Sequence, residues 1–293
     1  MSPSPIPPCP PPLPAKKLAQ TTKKLSTSKN SIKNNESNKE NIQSNDIDES
    51  YALLNRKFYS RECDWALKYP DIQKACYLAK VCLYKAPTEL RLSVIEPILQ
   101  VGPTCGLTAL SMLFEGEPTA GLLLDEVKKL GYSNNGEMFS TQQMSELLGK
   151  ILSRKQLDNE ITNMVICGAY CDSTIEIKLK LGAILLVPYD SDYDHAPCLK
   201  FGHRAHWALI VGYLVDEDKK FYVIARHGKT KNLAVWQLSD LIRSNSNLTE
   251  FVQPVGHPNE TFILPDEGIG GKNGLRSKFI LIEGFKTKNE III

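Results

Sequence analysis

Cys105 and His206 stand out for the chemistry that their settings allow. Cys105 follows Thr104 at the predicted start of a helix in QVGPTCGLTALSML (100–113), and His206 opens the apolar run HWALIVGYL (206–214). A thiol at a helix N-terminus meets the positive end of the helix dipole, which favours thiolate. A histidine at a strand mouth is held rigidly enough to act as its base, so the two supply the minimum for thiol acyl transfer. Gln100 lies five residues before the cysteine and is near enough to loop back. Its amide would then join the Cys105 N–H in facing an oxyanion. Gly106 is expected to leave open space above the sulfur. By itself Cys105 would read as a buried structural thiol, the commoner fate of a free cysteine; His206, followed by Trp207, moves the reading toward catalysis. The pair predicts a bell-shaped pH–rate profile. His203 in FGHRAH is a loop residue and the weaker base, and His195 and His257 read as solvated loop positions.

Such a site wants a third group to orient the imidazole. The expected place is the end of the next strand, KFYVIARHGK (220–229), where Arg226 and His227 stand instead of Asp or Asn. Asp190, Asp192 and Asp194 in PYDSDYDHAPC (188–198) read as solvated turn carboxylates, so the orienting residue stays open. Lys200, His203, Arg204, Arg226 and Lys229 are expected to gather around the mouth of the site. That basic set would complement an acidic substrate segment, or is simply a solvated loop, since isolated surface charges contribute little.

The elements that must position these residues change character along the chain. Helical spacing covers 51–86, 104–115, 120–130 and 140–153, with Thr104 capping the second of these and Ser140 or Thr141 the last. Five short β-branched and aromatic runs follow, at 183–189, 206–214, 220–226, 232–238 and 278–284. DEDKK (216–220) joins two of them as a predicted hairpin turn. Helices first and strands second indicate an α+β fold, an N-terminal helical part and a C-terminal antiparallel sheet in segregated layers.

Composition excludes several classes. The chain has 293 residues with 35 Lys and Arg against 33 Asp and Glu, a net charge of +2 that argues against a nucleic-acid binder. No apolar stretch approaches the length of a membrane span, and the N-terminus has no signal-like apolar core, so a cytoplasmic location with no membrane partner is expected. The eight cysteines are irregularly spaced and read as reduced thiols; Cys167 and Cys171 lack a matching second pair, so no zinc site is expected. The sequons at Asn247 and Asn259 read as chance. Residues 1–14, MSPSPIPPCPPPLP, favour an extended polyproline helix, and 15–50 are too polar to offset their ordering entropy. A disordered proline-rich arm over 1–50 and a folded domain over 51–293 follow.

Gln, then Cys-Gly opening a helix, then His-Trp on a strand is the order found in papain-like proteases. Further segments narrow the match: GYSNNGEMFS (131–140), LLVPYDSDYDHAPCLKFGHRAHWALIVGYL (185–214), and RHGK with VWQLSDLIRSNSNLTEF between 226 and 251. With the proline-rich start, they resemble the actin maturation protease family over most of 92–251. The resemblance implies a papain-like cysteine protease domain acting as an aminopeptidase. It would remove the N-acetylated first residue of actin, Met or Cys, and expose the acidic residue that follows. By position Cys105 matches the nucleophile, His206 the general base and Gln100 the oxyanion-stabilising glutamine, with no cofactor or metal and no carboxylate required at His227. Actin is the implied substrate, and profilin, which recognises polyproline, the implied partner of the arm. The other readings are a papain-like thiol hydrolase acting on another peptide or a ubiquitin-like substrate, and a non-catalytic actin or profilin adaptor.

Overall fold

Two runs, ILLVPYD and AHWALIVGYLV, are buried at nearly every position instead of every second one. Strands of that kind have protein on both faces. They form β3 (Ile184–Asp190) and β4 (Ala205–Val215) of a computed structural model that describes residues 62–168, 172–254 and 256–293. The expected proline-rich arm, and the first residues of the expected 51–86 helical stretch, lie outside the described residues. β3 and β4 pair antiparallel from Leu185↔Ile210 to Asp190↔Ala205, which sets Tyr189 opposite His206.

The remaining strands are β1 (Glu89–Ser93), β2 (Thr162–Cys167), β5 (Phe221–Arg226), β6 (Ala234–Gln237), β7 (Lys278–Glu283) and β8 (Glu290–Ile292). Among the described residues they complete an eight-stranded antiparallel sheet with the path β2-β7-β3-β4-β1-β8, and β5 and β6 continue from β4. β4 is the organising strand: it pairs β3 along 205–210, β1 along 212–215 and β5 along 209–215. Gly212 permits the approach of β1, because a Cβ there would stand 2.2 Å from the Arg91 carbonyl oxygen. The predicted turn at 216–220 does join β4 to β5 as a hairpin.

Among the described residues six helices cover the sheet: α1 (Pro70–Ala79), α2 (Cys105–Leu113), α3 (Ala120–Lys129), α4 (Thr141–Arg154), α5 (Asp172–Lys180) and α6 (Leu238–Ser246). A short 3-10 turn, Asp64–Ala66, precedes them. The α+β class with an antiparallel sheet is as expected; the segregation is not. Trp207, Leu209 and Val211 of β4 join α1–α4 in one core, while Ala208, Ile210 and Tyr213 join α5 and α6 in a second core on the other face. The part of the chain before residue 183, read as helical, also contributes β1 and β2. β2 is an edge strand with no buried residue, so its sequence TNMVIC carries no alternation to read. The predicted strand at 232–238 stops at Gln237, and helix α6 starts at the next residue.

Ser140 caps α4 by accepting the Gln143 N–H at 3.4 Å, and Thr119 caps α3 by accepting that of Leu122 at 3.2 Å. Thr104 occupies the N-cap position of α2 but does not cap it: its hydroxyl donates to the Val101 carbonyl at 2.8 Å. The first amides of α2 are therefore left for whatever sits at Cys105. From Gly106 to Leu113 every residue of α2 is buried, and burial of each large apolar side chain here contributes about 1.5–3 kcal/mol. Gly106 serves this packing and not open space above the sulfur: a Cβ there would meet Met144 Cε at 3.1 Å and Trp207 Cδ1 at 3.2 Å.

Candidate active site

α2 and β4 bring Cys105 and His206 to one cleft. Backbone N–H groups of Trp207 on β4 and of Gly106 and Cys105 at the uncapped helix start all favour the thiolate form of Cys105. His206, at the mouth of β4, is only 6% exposed. Its Nε2–H donates to the main-chain carbonyl of His227 at 2.7 Å, and its ring meets Tyr189 edge-on at 5.7 Å. That bond fixes the tautomer of the neutral ring, with Nδ1 as the free acceptor. The group holding the imidazole thus lies where an Asp or Asn was sought, just past the end of β5, but it is a peptide carbonyl. No side-chain pattern can announce such a group. The peptide is itself pinned: Gly228 takes φ +72°, and its carbonyl accepts the Gln100 N–H at 2.8 Å.

Burial governs the charge states. It pushes the Cys105 thiol up, against the three amides and the Lys229 charge that pull it down, so the helix dipole does not win as expected. Burial likewise takes His206 down to about 3, the His227 carbonyl opposing it and Lys229, His227 and His195 adding to it. His227 falls to about 4 for the same first reason, with His195, Lys229 and Arg226 contributing. The resting pair is a neutral thiol beside a neutral imidazole.

Gln100 lines the cleft with Cys105 and His206. Its Nε2 donates to the Gly102 carbonyl at 2.8 Å, which leaves the second N–H of that amide uncommitted, and its buried Oε1 has no partner. The cleft holds about 200 Å³ and is walled by Met138, Phe139, Trp207, Phe262 and Leu275. Glu137 closes it. This carboxylate is 3% exposed and accepts the backbone N–H groups of Asn134, Asn135 and Ile263 at 3.2, 2.9 and 3.1 Å. The Trp207 indole donates to the Met138 carbonyl at 2.8 Å, so the GEMFS segment and the His-Trp strand form one wall. A second, wider groove of about 610 Å³ shares His206, Ala205, Phe139, Lys229 and Pro254 with the cleft.

Of the expected basic set, Lys200, His203, Arg204 and Lys229 line that groove. Arg226 does not. It is 4% exposed, donates to the carbonyls of Ile95 and Lys231, and faces Asp71 at 3.6 Å in a separate pocket near Tyr69 and Leu233. The pairing of Arg226 with Leu209 explains this, since Leu209 points to the core face opposite to that of Ala208. Asp190 is fully buried and accepts the Lys200 N–H, so it is no solvated turn carboxylate. Asp192 pairs with Lys200, and Asp194 accepts the Ala196 N–H at 3.0 Å. His195 is half-buried with its ring 5.3 Å from that of His227, and His257 lines the cleft while bonding Glu260 at 2.7 Å; neither is a solvated loop residue. The six cysteines among the described residues are free thiols, and there no three His, Cys, Asp or Glu side chains converge as a metal site would need. No helix among them is long and apolar enough to cross a membrane.

Comparison with known proteins follows the same residues. A family model described as "Actin maturation protease-like, C-terminal domain" matches residues 95–214, which include Gln100, Cys105 and His206. The chain is 51% identical over 223 residues to the actin maturation protease of Drosophila melanogaster, covering 76% of this chain and 82% of that protein. It is 27% identical over 222 residues to that of Xenopus tropicalis, covering 64% and 72%, and 26% identical over 229 residues to that of Homo sapiens, covering 64% of each.

Proposed function

The chain belongs to the actin maturation protease family, and from that premise we propose that it is a cysteine protease of the aminopeptidase type. It removes the N-acetylated first residue of actin, Met or Cys, and exposes the acidic residue behind it. The observation that carries this reading is the cleft in which Cys105 and His206 meet, with the imidazole held through Nε2 by the His227 carbonyl. We read the helices over the antiparallel sheet as a papain-like domain spanning 51–293, working in the cytoplasm without metal or organic cofactor. Residues 1–50 are the profilin-directed arm of the same proposal.

The chemistry follows from the neutral resting pair. As Cys105 Sγ attacks the carbonyl carbon of the first residue, its proton passes to Nδ1 of His206. The oxyanion is met by the Cys105 N–H and the spare N–H of Gln100. The C–N bond then breaks, the proton on Nδ1 goes to the departing amine of the shortened actin, and a thioester remains on Cys105. Water attacks that thioester with His206 as base, the N-acetylated amino acid leaves, and the thiol regains its proton. The carbonyl of His227 needs no charge for its role: it holds the ring while Nδ1 cycles.

The test uses an acetylated actin N-terminal peptide and purified full-length protein. Cys105→Ala is expected to abolish release of the acetylated residue. Undiminished release by that variant would overturn the assignment. Mass spectrometry of actin from cells lacking this protein is expected to show the unprocessed N-terminus; normally matured actin would leave a thiol hydrolase with another peptide substrate.

A further inference from the structure

A histidine that returns a proton to a leaving amine must stand on the leaving group's side of the bond being cut. This gives the two cavities a direction. Cys105 and Gln100 line the 200 Å³ cleft and not the groove; His206 lines both. The cleft therefore receives the acyl side of the substrate, and the groove receives the chain that leaves.

The two sides differ in charge. The acyl cleft is walled mainly by apolar side chains and holds the Glu137 carboxylate, with Lys229 the cation it shares with the groove. In the groove, Lys200 is paired with Asp192, and His203 with Glu250 at 3.1 Å. Arg204 and Lys229 make no ion-pair contact with a carboxylate among the described residues, although Asp192 feels the Arg204 charge, and both are exposed. Arg204 lies 4.6 Å from the centre of the Tyr193 ring, which orients the guanidinium without neutralising it.

We propose that this polarity sets the position and the number of cuts: Arg204 and Lys229 hold acidic residues on the leaving side, and Glu137 with its apolar surround excludes them from the acyl side. The inference rests on the protease reading above and adds to it the register of the substrate. A chain with one apolar residue before an acidic run fits in one register only. After the cut its new first residue is acidic, and its carboxylate would have to leave water for a mostly apolar cleft that already holds the Glu137 carboxylate. The new end also carries a free α-amine where the acetyl group stood, so both changes oppose a second cut; the acetylated Asp-Asp-Asp peptide separates the charge effect from the acetyl effect.

The experiment uses full-length protein and acetylated peptides of one length. One begins Met-Asp-Asp, a second Met-Asn-Asn, a third Met-Lys-Lys and a fourth Asp-Asp-Asp. The first is expected to be cleaved once, with kcat/KM about tenfold above the second and more above the third, since each exposed charge pair contributes only a few-fold. The fourth is expected to be cleaved at least about 100-fold more slowly, because its first carboxylate must be desolvated. Arg204→Glu and Lys229→Glu are each expected to raise KM on Met-Asp-Asp and lower it on Met-Lys-Lys. That exchange would not follow from simple damage to the fold. Equal rates on the first three peptides, or stepwise trimming of the fourth, would overturn this inference and leave the protease reading standing. Failure of the wild type to cut any of them would take both.

Discussion

His206 and His227 are enclosed by protein with Cys105 half-buried beside them, while Lys200, His203 and Arg204 stand in solvent on the wall next to them. Both regions depend on β4 and the loop before it, yet different physics governs each. In the enclosed part, desolvation outweighs every local charge, and a peptide carbonyl is enough to hold a ring because nothing competes with it for the Nε2–H. In the exposed part, water screens each charge, and ion pairs such as Lys200 with Asp192 cost side-chain entropy for little gain. Arg226 belongs to the first kind and Arg204 to the second, although they look alike in sequence. Enclosed groups should therefore respond sharply to substitution and pH, and exposed groups weakly and mostly to salt.

The largest effect tests the enclosed side. His206→Ala is expected to lower kcat by about 10²–10⁴, the usual contribution of a positioned acid–base group. His227→Ala is expected to lower it far less, since the carbonyl that holds His206 survives the substitution. Steady-state kinetics on the acetylated peptide compares the two. Equal losses would show that the His227 side chain, and not its peptide group, orients the base.

The enclosed site was partly legible before the fold was known. Cys105 at a helix start and His206 at a strand mouth follow from local patterns, and β3 and β4 follow from their apolar runs. The His227 carbonyl, the Glu137 closure and the burial of Arg226 were not legible. The first is main chain, which every residue has. The second depends on amides from Asn134 and from Ile263, far apart in sequence. The third depends on the register of β5 against β4, which sends Arg226 to the opposite face from His206. Edge strand β2 and the short β8 are illegible for a different reason: they bury no residue fully, so their partial alternation in exposure is not matched by an alternation of apolar and polar residues in TNMVIC and EII.

Acid should break the enclosed side next. His206 and His227 titrate at about 3 and about 4 in the folded chain, against roughly 6.5 when unfolded. Their burial as neutral rings costs nothing above the unfolded value. As pH falls below it, the unfolded chain binds protons that the folded chain refuses, so stability drops toward about pH 4. Each histidine adds a slope of up to about 1.4 kcal/mol per pH unit in that window. Urea unfolding at a series of pH values measures it. His227→Phe is expected to shallow the dependence, and an unchanged slope would mean that His227 is not buried neutral. The same charge states predict a broad flat rate between the acid limb of His206 and the alkaline limb of the raised thiol, with no thiolate absorbance near 240 nm at neutral pH.

Arg226 and Arg204 give a smaller and more direct contrast. Arg226→Met leaves the carbonyls of Ile95 and Lys231 without their donors and is expected to cost about 1–3 kcal/mol in urea unfolding. Arg204→Met removes an exposed side chain resting on Tyr193 and is expected to change stability by no more than about 0.5 kcal/mol. A reversed order would place the structural arginine in the groove.

The smallest effect belongs to salt. Between 0.05 and 0.3 M, the screening length falls from roughly 14 to 6 Å. An acidic peptide approaching Arg204 and Lys229 from solvent feels that change, so its KM should rise a few-fold. The steps after binding occur at half-buried Cys105 and buried His206, which the bound peptide covers, so mobile ions screen them little. The kcat on the same peptide should therefore stay level across the series, and a neutral peptide should show little change in either constant. A fall in kcat with KM constant would place the salt-sensitive contact in the enclosed site, and the division between the two regions would fail at the residue they share, Lys229.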